Sequence, residues 1–242
     1  MDYWKGVRTM NHILIRICLL GLMALGSCKT GDEQLSLENN KIGKAPTKMN
    51  KDNLKPSKEA PKREEVAIIG GGCFWCTEAV FEMFDGVKEV VSGYAGGASK
   101  NPTYKEICTG KSGHAEVIKI VYDPTIITYA RILSVFGECH DPTTLNRQGA
   151  DVGTQYRSTI MYLSEEQQKI AEAWKNKLTE KFIDPVVTEI IKAPVFYAAE
   201  DYHQDYYLTN PSRYTFYKAA CGRVARLKEV WGEEVYEQMH NS

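Results

Sequence analysis

No block of lysine or arginine interleaved with aromatics runs along one face of this 242-residue sequence, and 30 basic against 31 acidic residues leave a net charge of -1. Nucleic-acid binding draws much of its affinity from clustered cations, so a nucleic-acid partner is not expected. Uninterrupted apolar runs stay far below the roughly 20 residues that a membrane-spanning helix needs. The pair Cys73-x-x-Cys76 has no second C-x-x-C and no matched histidine pair to accompany it, which takes away the usual four-ligand frame of structural zinc. No internal repeat is present, which excludes a solenoid or propeller. What remains is an ordinary globular composition, 43% hydrophobic and 25% charged, of a length suited to one domain with appendages.

The first of those appendages is a leader. Lys5, Arg8 and Arg16 precede an apolar run over 17–26 that ends in small residues and a cysteine, the layout of a secretory signal over 1–27. Leu25-Gly26-Ser27-Cys28 resembles the lipobox of bacterial lipoproteins. The resemblance implies cleavage before Cys28 and acylation of that cysteine. The expectation is an exported lipoprotein, facing the periplasm or cell surface and touching the membrane through its lipid anchor only. Residues 28–64 contain no aromatic residue and are rich in Lys, Glu, Asn and Pro. Such a segment buries too little apolar surface to order itself and reads as a flexible linker. A domain follows over 65–235, and residues 236–242 form a tail.

Of the seven cysteines, Cys18 lies in the leader and Cys28 at the anchor, leaving Cys73, Cys76, Cys108, Cys139 and Cys221 in the domain. An odd number in an exported domain favours a reactive thiol over a closed disulfide framework.

Within the domain, the apolar β-branched run 66–69 predicts a strand stopped by three glycines, and four-residue spacing predicts a helix over 73–84 that ends at Asp85-Gly86. Strands are expected over 87–94, 115–122, 157–163 and 186–191. Helices are expected over 128–139, with Thr128 as N-cap, and over 164–182, opened by a Ser164–Gln167 capping box. This alternation predicts an α/β (α+β) single domain: a mixed sheet with helices packed on it in a two-layer sandwich. Two stretches resist regular assignment. Residues 141–155 form a long polar loop of the sort that is usually functional, and residues 210–222 are rich in tyrosine; either could border a site.

Cys73 occupies the point where the glycine turn feeds the helix, so the helix's positive end favours a negative sulfur there. The glycines let a substrate approach the backbone closely. Phe74 and Trp75 are large aromatics beside this nucleophile, a place for a hydrophobic pocket. Cys76 lies one turn on, able to close a disulfide after oxidation of the first sulfur. By itself this pattern leaves two other readings open: a generic thiol-disulfide oxidoreductase built on Cys73-x-x-Cys76, and a non-enzymatic surface lipoprotein with an aromatic pocket.

A longer motif series goes further. Gly72-Cys73-Phe74-Trp75, Gly93-Tyr94-Ala95-Gly96-Gly97, Asn101-Pro102-Thr103-Tyr104, Gly113-His114-Ala115-Glu116, Tyr122-Asp123-Pro124, His140-Asp141-Pro142 and Gly153-Thr154-Gln155-Tyr156-Arg157-Ser158 appear in this order. Glu200-Asp201-Tyr202-His203-Gln204 and Cys221-Gly222-Arg223 follow. The series resembles that of peptide methionine sulfoxide reductase A, over roughly residues 66–232.

The resemblance implies reduction of methionine-S-sulfoxide, with Cys73 as the nucleophile and Glu116 as the acid. It implies that Tyr104 and Tyr156 hold the sulfoxide oxygen, that Phe74 and Trp75 receive the S-methyl group, and that Asp151 contributes a carboxylate. No cofactor is implied; a thioredoxin-like protein or another dithiol is the reductant, oxidised proteins or methionine sulfoxide the substrate, and a monomer the expected state. The Gly-Tyr-Cys-Gly segment that supplies a resolving cysteine in some relatives is missing, and Cys76 stands where those relatives carry glycine. Cys76 is therefore expected to resolve, with Cys221 as the alternative and Cys108 and Cys139 structural. His114, His140 and His203 read as structural histidines.

Overall fold

The computed structural model describes residues 64–232. The expected signal over 1–27, the lipidated Cys28, the linker up to residue 63 and the tail over 236–242 lie outside the described residues. In chain order, the first strand β1 (Glu65–Gly71) leads into α1 (Phe74–Phe81), β2 (Val87–Ala95), the single turn α2 (Tyr104–Ile107) and β3 (Ala115–Tyr122). Helix α3 (Tyr129–Cys139), the small hairpin β4 (Arg147–Gln148) and β5 (Asp151–Val152), β6 (Ser158–Tyr162), α4 (Glu165–Lys181), β7 (Glu189–Lys192) and β8 (Tyr197–Ala198) come next. The chain closes with α5 (Tyr206–Thr209), α6 (Pro211–Ala220) and α7 (Arg223–Trp231).

Six strands form one sheet in the order β7-β6-β1-β3-β2-β8. The β6–α4–β7 unit supplies its parallel pair, and the other neighbours are antiparallel. The expected mixed sheet with helices packed on it is therefore present.

Strand alternation decides what each face carries. Ala67 and Ile69 of β1, Val90 and Tyr94 of β2, Ile118, Ile120 and Tyr122 of β3 and Ile160 of β6 join Phe81, Ile132, Leu133 and Phe136 in the main core under the helices. Residues of the opposite parity, Ile68, Ala95, Ala115, Val117 and Met161, pack on the other face against Phe196 and Ile191. Glu116 has the parity of Ile118 and Ile120. Its carboxyl is thereby delivered to the helical face, where α1 begins.

Helix ends follow their sequence signals with one change. Thr128 caps α3 by accepting from Arg131 N–H, and Ser164 caps α4 by accepting from Gln167 N–H. The reciprocal half of the expected capping box is displaced: Gln167 Oε1 accepts from Leu163 N–H, and its Nε2 donates to Val66 O. The one side chain satisfies two backbone groups at once and ties α4 to β1.

The glycine stop also differs from expectation. Gly70 and Gly71 belong to β1 and pair with Thr159 and Ser158 of β6. A Cβ on Gly71 would lie 2.8 Å from the Phe136 ring, so glycine is required there by close packing of α3 on the strand. The turn itself is Gly72 alone, at φ +91°, a conformation that side chains rarely adopt. Helix α1 stops at Phe81, one turn before Asp85-Gly86.

Candidate active site

Cys73 is the N-cap of α1 and is 5% exposed, with no capping hydrogen bond from its side chain. The first free N–H of the helix, that of Phe74, is donated instead to Glu116 Oε2 at 3.1 Å. The helix terminus thus holds the carboxyl beside the sulfur rather than the sulfur itself. Glu116 is 2% exposed, and burial pushes its carboxyl up to about 8; Asp151 acts in the same direction, while the Phe74 N–H and Arg223 oppose it. A carboxyl so placed keeps its proton at neutral pH.

Tyr104 opens α2 inside a complete capping box, in which Thr103 and Glu106 satisfy each other's backbone donors. Its own N–H donates to Glu200 Oε1 at 2.8 Å, and the other oxygen of Glu200 accepts from Tyr94 hydroxyl. Tyr156 ends a 3-10 turn whose Thr154 hydroxyl donates to Gly110 O, which ties that turn to the loop after α2. Burial pushes both phenols up, with Glu116 adding to the shift, so both remain hydroxyl donors. Glu116 lies close enough to act on both phenols, and Cys73 close enough to act on Tyr156. The nucleophile, the acid and the two hydroxyls that the family resemblance singles out therefore converge.

The aromatic wall is larger than sequence reasoning predicted. Trp75 stacks on Tyr206 with centroids 3.7 Å apart and planes 4° from parallel, and meets Tyr217 edge-on at 5.5 Å. Phe74 is buried against Tyr94 and His203, its ring forming the floor rather than an open wall. Trp75 Nε1 donates to His203 Nδ1 at 3.1 Å, and the His203 ring meets Tyr104 edge-on at 4.4 Å. His203 is thus part of the site and not a remote structural histidine. The other two histidines are structural as expected: His114 bridges Gly97 N–H and Ser99 O, and His140 bridges Phe136 O and Ser158 Oγ.

Both unassigned stretches border the site. Residues 141–155 are anchored: Gln148 hydrogen-bonds the backbone N–H and C=O of Asp141, and the β4–β5 pair carries Asp151 inward. Asp151 Oδ2 accepts from Tyr217 hydroxyl, which also interacts with Cys73. Residues 210–222 hold helix α6, begun by Pro211 at its first position, where proline suits a helix. Tyr206, Tyr214 and Tyr217 escaped the sequence reading, the density of tyrosine over 210–222 being the signal for the last two, and Arg223 stood in the motif series without a role.

Among the thiols, all five domain cysteines are free. The Cys76 side chain interacts with those of both Cys221 and Cys73. Cys221 draws the Cys76 thiol down, but Cys73 and burial outweigh it and push it up to about 12. Cys139 is buried with its Sγ donating to Phe136 O, a structural position. Cys108 departs from the structural role expected of it: it is exposed at the end of α2, and its side chain interacts with the Tyr104 hydroxyl.

Residues 65–235 match the family described as Peptide methionine sulfoxide reductase. The chain belongs to this family. It is 51% identical over 172 residues to peptide methionine sulfoxide reductase MsrA 1 of Rhodopirellula baltica, an alignment covering 71% of this chain and 90% of that protein. It is 55% identical over 149 residues to the MsrA of Leptospira borgpetersenii, covering 62% of this chain and 85% of the relative. Among solved structures, reduced Mxr1 from Saccharomyces cerevisiae superposes with a TM-score of 0.60 at 34% identity, over 64% of this chain and 90% of that one. Methionine sulfoxide reductase A of Corynebacterium diphtheriae gives 0.57 at 39% identity, over 63% and 77%. This chain is accordingly an oxidoreductase that returns methionine sulfoxide to methionine.

Proposed function

We propose that Cys73 attacks the sulfur of methionine-S-sulfoxide while Glu116 gives its proton to the departing oxygen. The observation that carries this reading is the buried Glu116 carboxyl, anchored on the Phe74 N–H at 3.1 Å and protonated at neutral pH, next to the thiol at the head of α1. Cys73, its own proton given up to solvent, bonds transiently to the substrate sulfur; the oxygen protonated by Glu116 then passes to Cys73, so that a Cys73 S–O bond forms as that S–S bond and the sulfoxide S–O bond break. Methionine leaves, Cys73 becomes a sulfenic acid and Glu116 a carboxylate. Tyr104 and Tyr156 donate toward the oxygen as its charge grows. Trp75, Tyr206 and the buried Phe74 supply the apolar seat for the S-methyl group, and Asp151 holds Tyr217 against Cys73.

Cys76 then condenses with the sulfenic acid to give a disulfide and water. Its interaction with Cys73 supports this choice, and its interaction with Cys221 makes Cys221 the alternative partner. A thioredoxin-like protein or other dithiol reduces the disulfide; thiols supply the electrons, so no metal or organic cofactor enters.

The test supplies separated S and R epimers of an acetylated methionine sulfoxide with a thioredoxin-like reductant. The S epimer disappears catalytically and the R epimer persists; turnover of R would sink the stereochemical assignment. Cys76→Ser releases one methionine per chain and then stops. Continued cycling in that variant would take the resolving role from Cys76.

We also infer that the protein is exported and anchored through an acylated Cys28, supported by the order of Lys5, Arg8, Arg16, the apolar run and Leu25-Gly26-Ser27-Cys28. Mass spectrometry of the mature N-terminus will find a diacylglyceryl-modified Cys28; an N-terminus elsewhere, or an unmodified Cys28, would refute the anchor.

A further inference from the structure

Arg223 is the first residue of α7 and is 5% exposed. Its Nη2 donates to Gly71 O at 2.8 Å, directly behind the turn that presents Cys73. A Cβ on Gly72 would lie 2.2 Å from that same nitrogen, so the turn and the guanidinium are fitted to each other. Arg223 makes no ion pair with any described carboxylate, and its Nε has no hydrogen-bond partner. A buried cation without a counter-ion is expensive. The groups around it that can become negative are Glu116, the thiols Cys73, Cys76, Cys139 and Cys221, and the phenols of Tyr214 and Tyr217, and a small cavity is lined jointly by Arg223, Cys76, Cys139, Tyr214 and Lys218.

Resting on the reading of Cys76 as the resolving thiol, we propose that Arg223 is the positioning residue of the thiol pair. Held on the Gly71 carbonyl and enclosed with Cys76, its guanidinium is the standing counter-charge for the Cys76 sulfur when that sulfur attacks oxidised Cys73. In this step Cys76 loses its proton and its electron pair forms the S–S bond. The Cys73 S–OH bond breaks, and the hydroxide takes up a proton to leave as water. The other groups facing Cys76 are Cys73, Cys221, Cys139, Tyr214 and Tyr217, neutral as thiols and phenols; Lys218 also lines the cavity, but the charge that bears on the Cys76 sulfur is that of Arg223. Burial opposes ionisation of Cys76, and Arg223 acts against it.

The placement is rigid. Gly222 takes a left-handed conformation that turns the chain into α7, Cys221 O accepts from Ala150 N–H, and Arg226 on the next turn pairs with Asp141 at 2.6 Å. The helix that carries Arg223 is therefore clamped to the same hairpin that carries Asp151.

The test mixes reduced full-length protein with one equivalent of the S epimer and follows methionine release and free-thiol loss separately from pH 6 to pH 10. Arg223→Gln keeps a donor for Gly71 O but loses the charge, and Arg223→Lys keeps the charge. In Arg223→Gln, disulfide closure slows about tenfold at pH 7 and its profile moves about one unit toward higher pH, since one unit of thiol ionisation is a tenfold change. Arg223→Lys keeps the wild-type profile. A folded Arg223→Gln with an unmoved closure profile, or an Arg223→Lys profile displaced to high pH, overturns the proposal; the lysine comparison decides even where the glutamine variant does not fold. Cys76→Ser is run alongside. Closure at the wild-type rate in Cys76→Ser removes both the resolving role of Cys76 and this role of Arg223, whereas lost closure there with an unmoved Arg223→Gln profile overturns Arg223 alone.

Discussion

Cys73→Ser consumes neither epimer of methionine sulfoxide, with kcat/KM down on the order of 10^6-fold, the scale on which an enzyme loses its nucleophile. The sulfur is replaced by a smaller oxygen at the N-cap of α1. That position has no capping hydrogen bond from its side chain to lose, so the fold should be unaffected. Serine in fact suits an N-cap. An unchanged thermal midpoint beside abolished turnover therefore separates chemistry from stability. Residual reduction of the S epimer above about 1% of wild type would show that another sulfur, with Cys76 the nearest candidate, can attack, and would return the site to general thiol-disulfide exchange.

Glu116→Gln lowers the rate of the first methionine release by about 10^2- to 10^4-fold, the usual contribution of a positioned general acid. Glutamine keeps an oxygen to accept the Phe74 N–H, so the head of α1 stays in place while the proton is gone. The pH dependence carries the sharper prediction. An acid must be protonated to act, and burial pushes the Glu116 carboxyl up to about 8. Wild-type release is therefore full at neutral pH and declines as pH rises through about 8. Single-turnover rates between pH 6 and pH 10 measure this limb, which disappears in Glu116→Gln. A limb that persists in the variant would assign the proton to another group.

Both predictions depend on where a side chain points, and here sequence and structure contribute differently. β3 is legible from its alternation alone, because one face meets the main core and the other a thinner apolar layer; its observed bounds, Ala115–Tyr122, are those that the pattern predicts. α3 is legible for the same kind of reason, with Thr128 as its cap. Helix α6 is not. It has no buried residue and begins with proline, so it lacks the apolar stripe by which a helix is recognised from sequence. Gly70 and Gly71 read as a turn because glycine usually ends a strand, whereas here Phe136 and Glu116 O press on a strand that could hold nothing larger.

The sequence by itself determined the chemistry: the order of Cys73, Phe74, Trp75, Tyr104, Glu116, Asp151 and Tyr156, and through it the family and the reaction. All but Asp151 lie in short local motifs, and local motifs survive without knowledge of the fold. Only the tertiary structure decided what surrounds them. The Phe74 N–H goes to Glu116 and not to Cys73, His203 faces the pocket, Tyr217 donates to Asp151, and Arg223 reaches back 152 positions to the Gly71 carbonyl. Such contacts are set by sheet register and helix packing over long separations, and no local spacing encodes them.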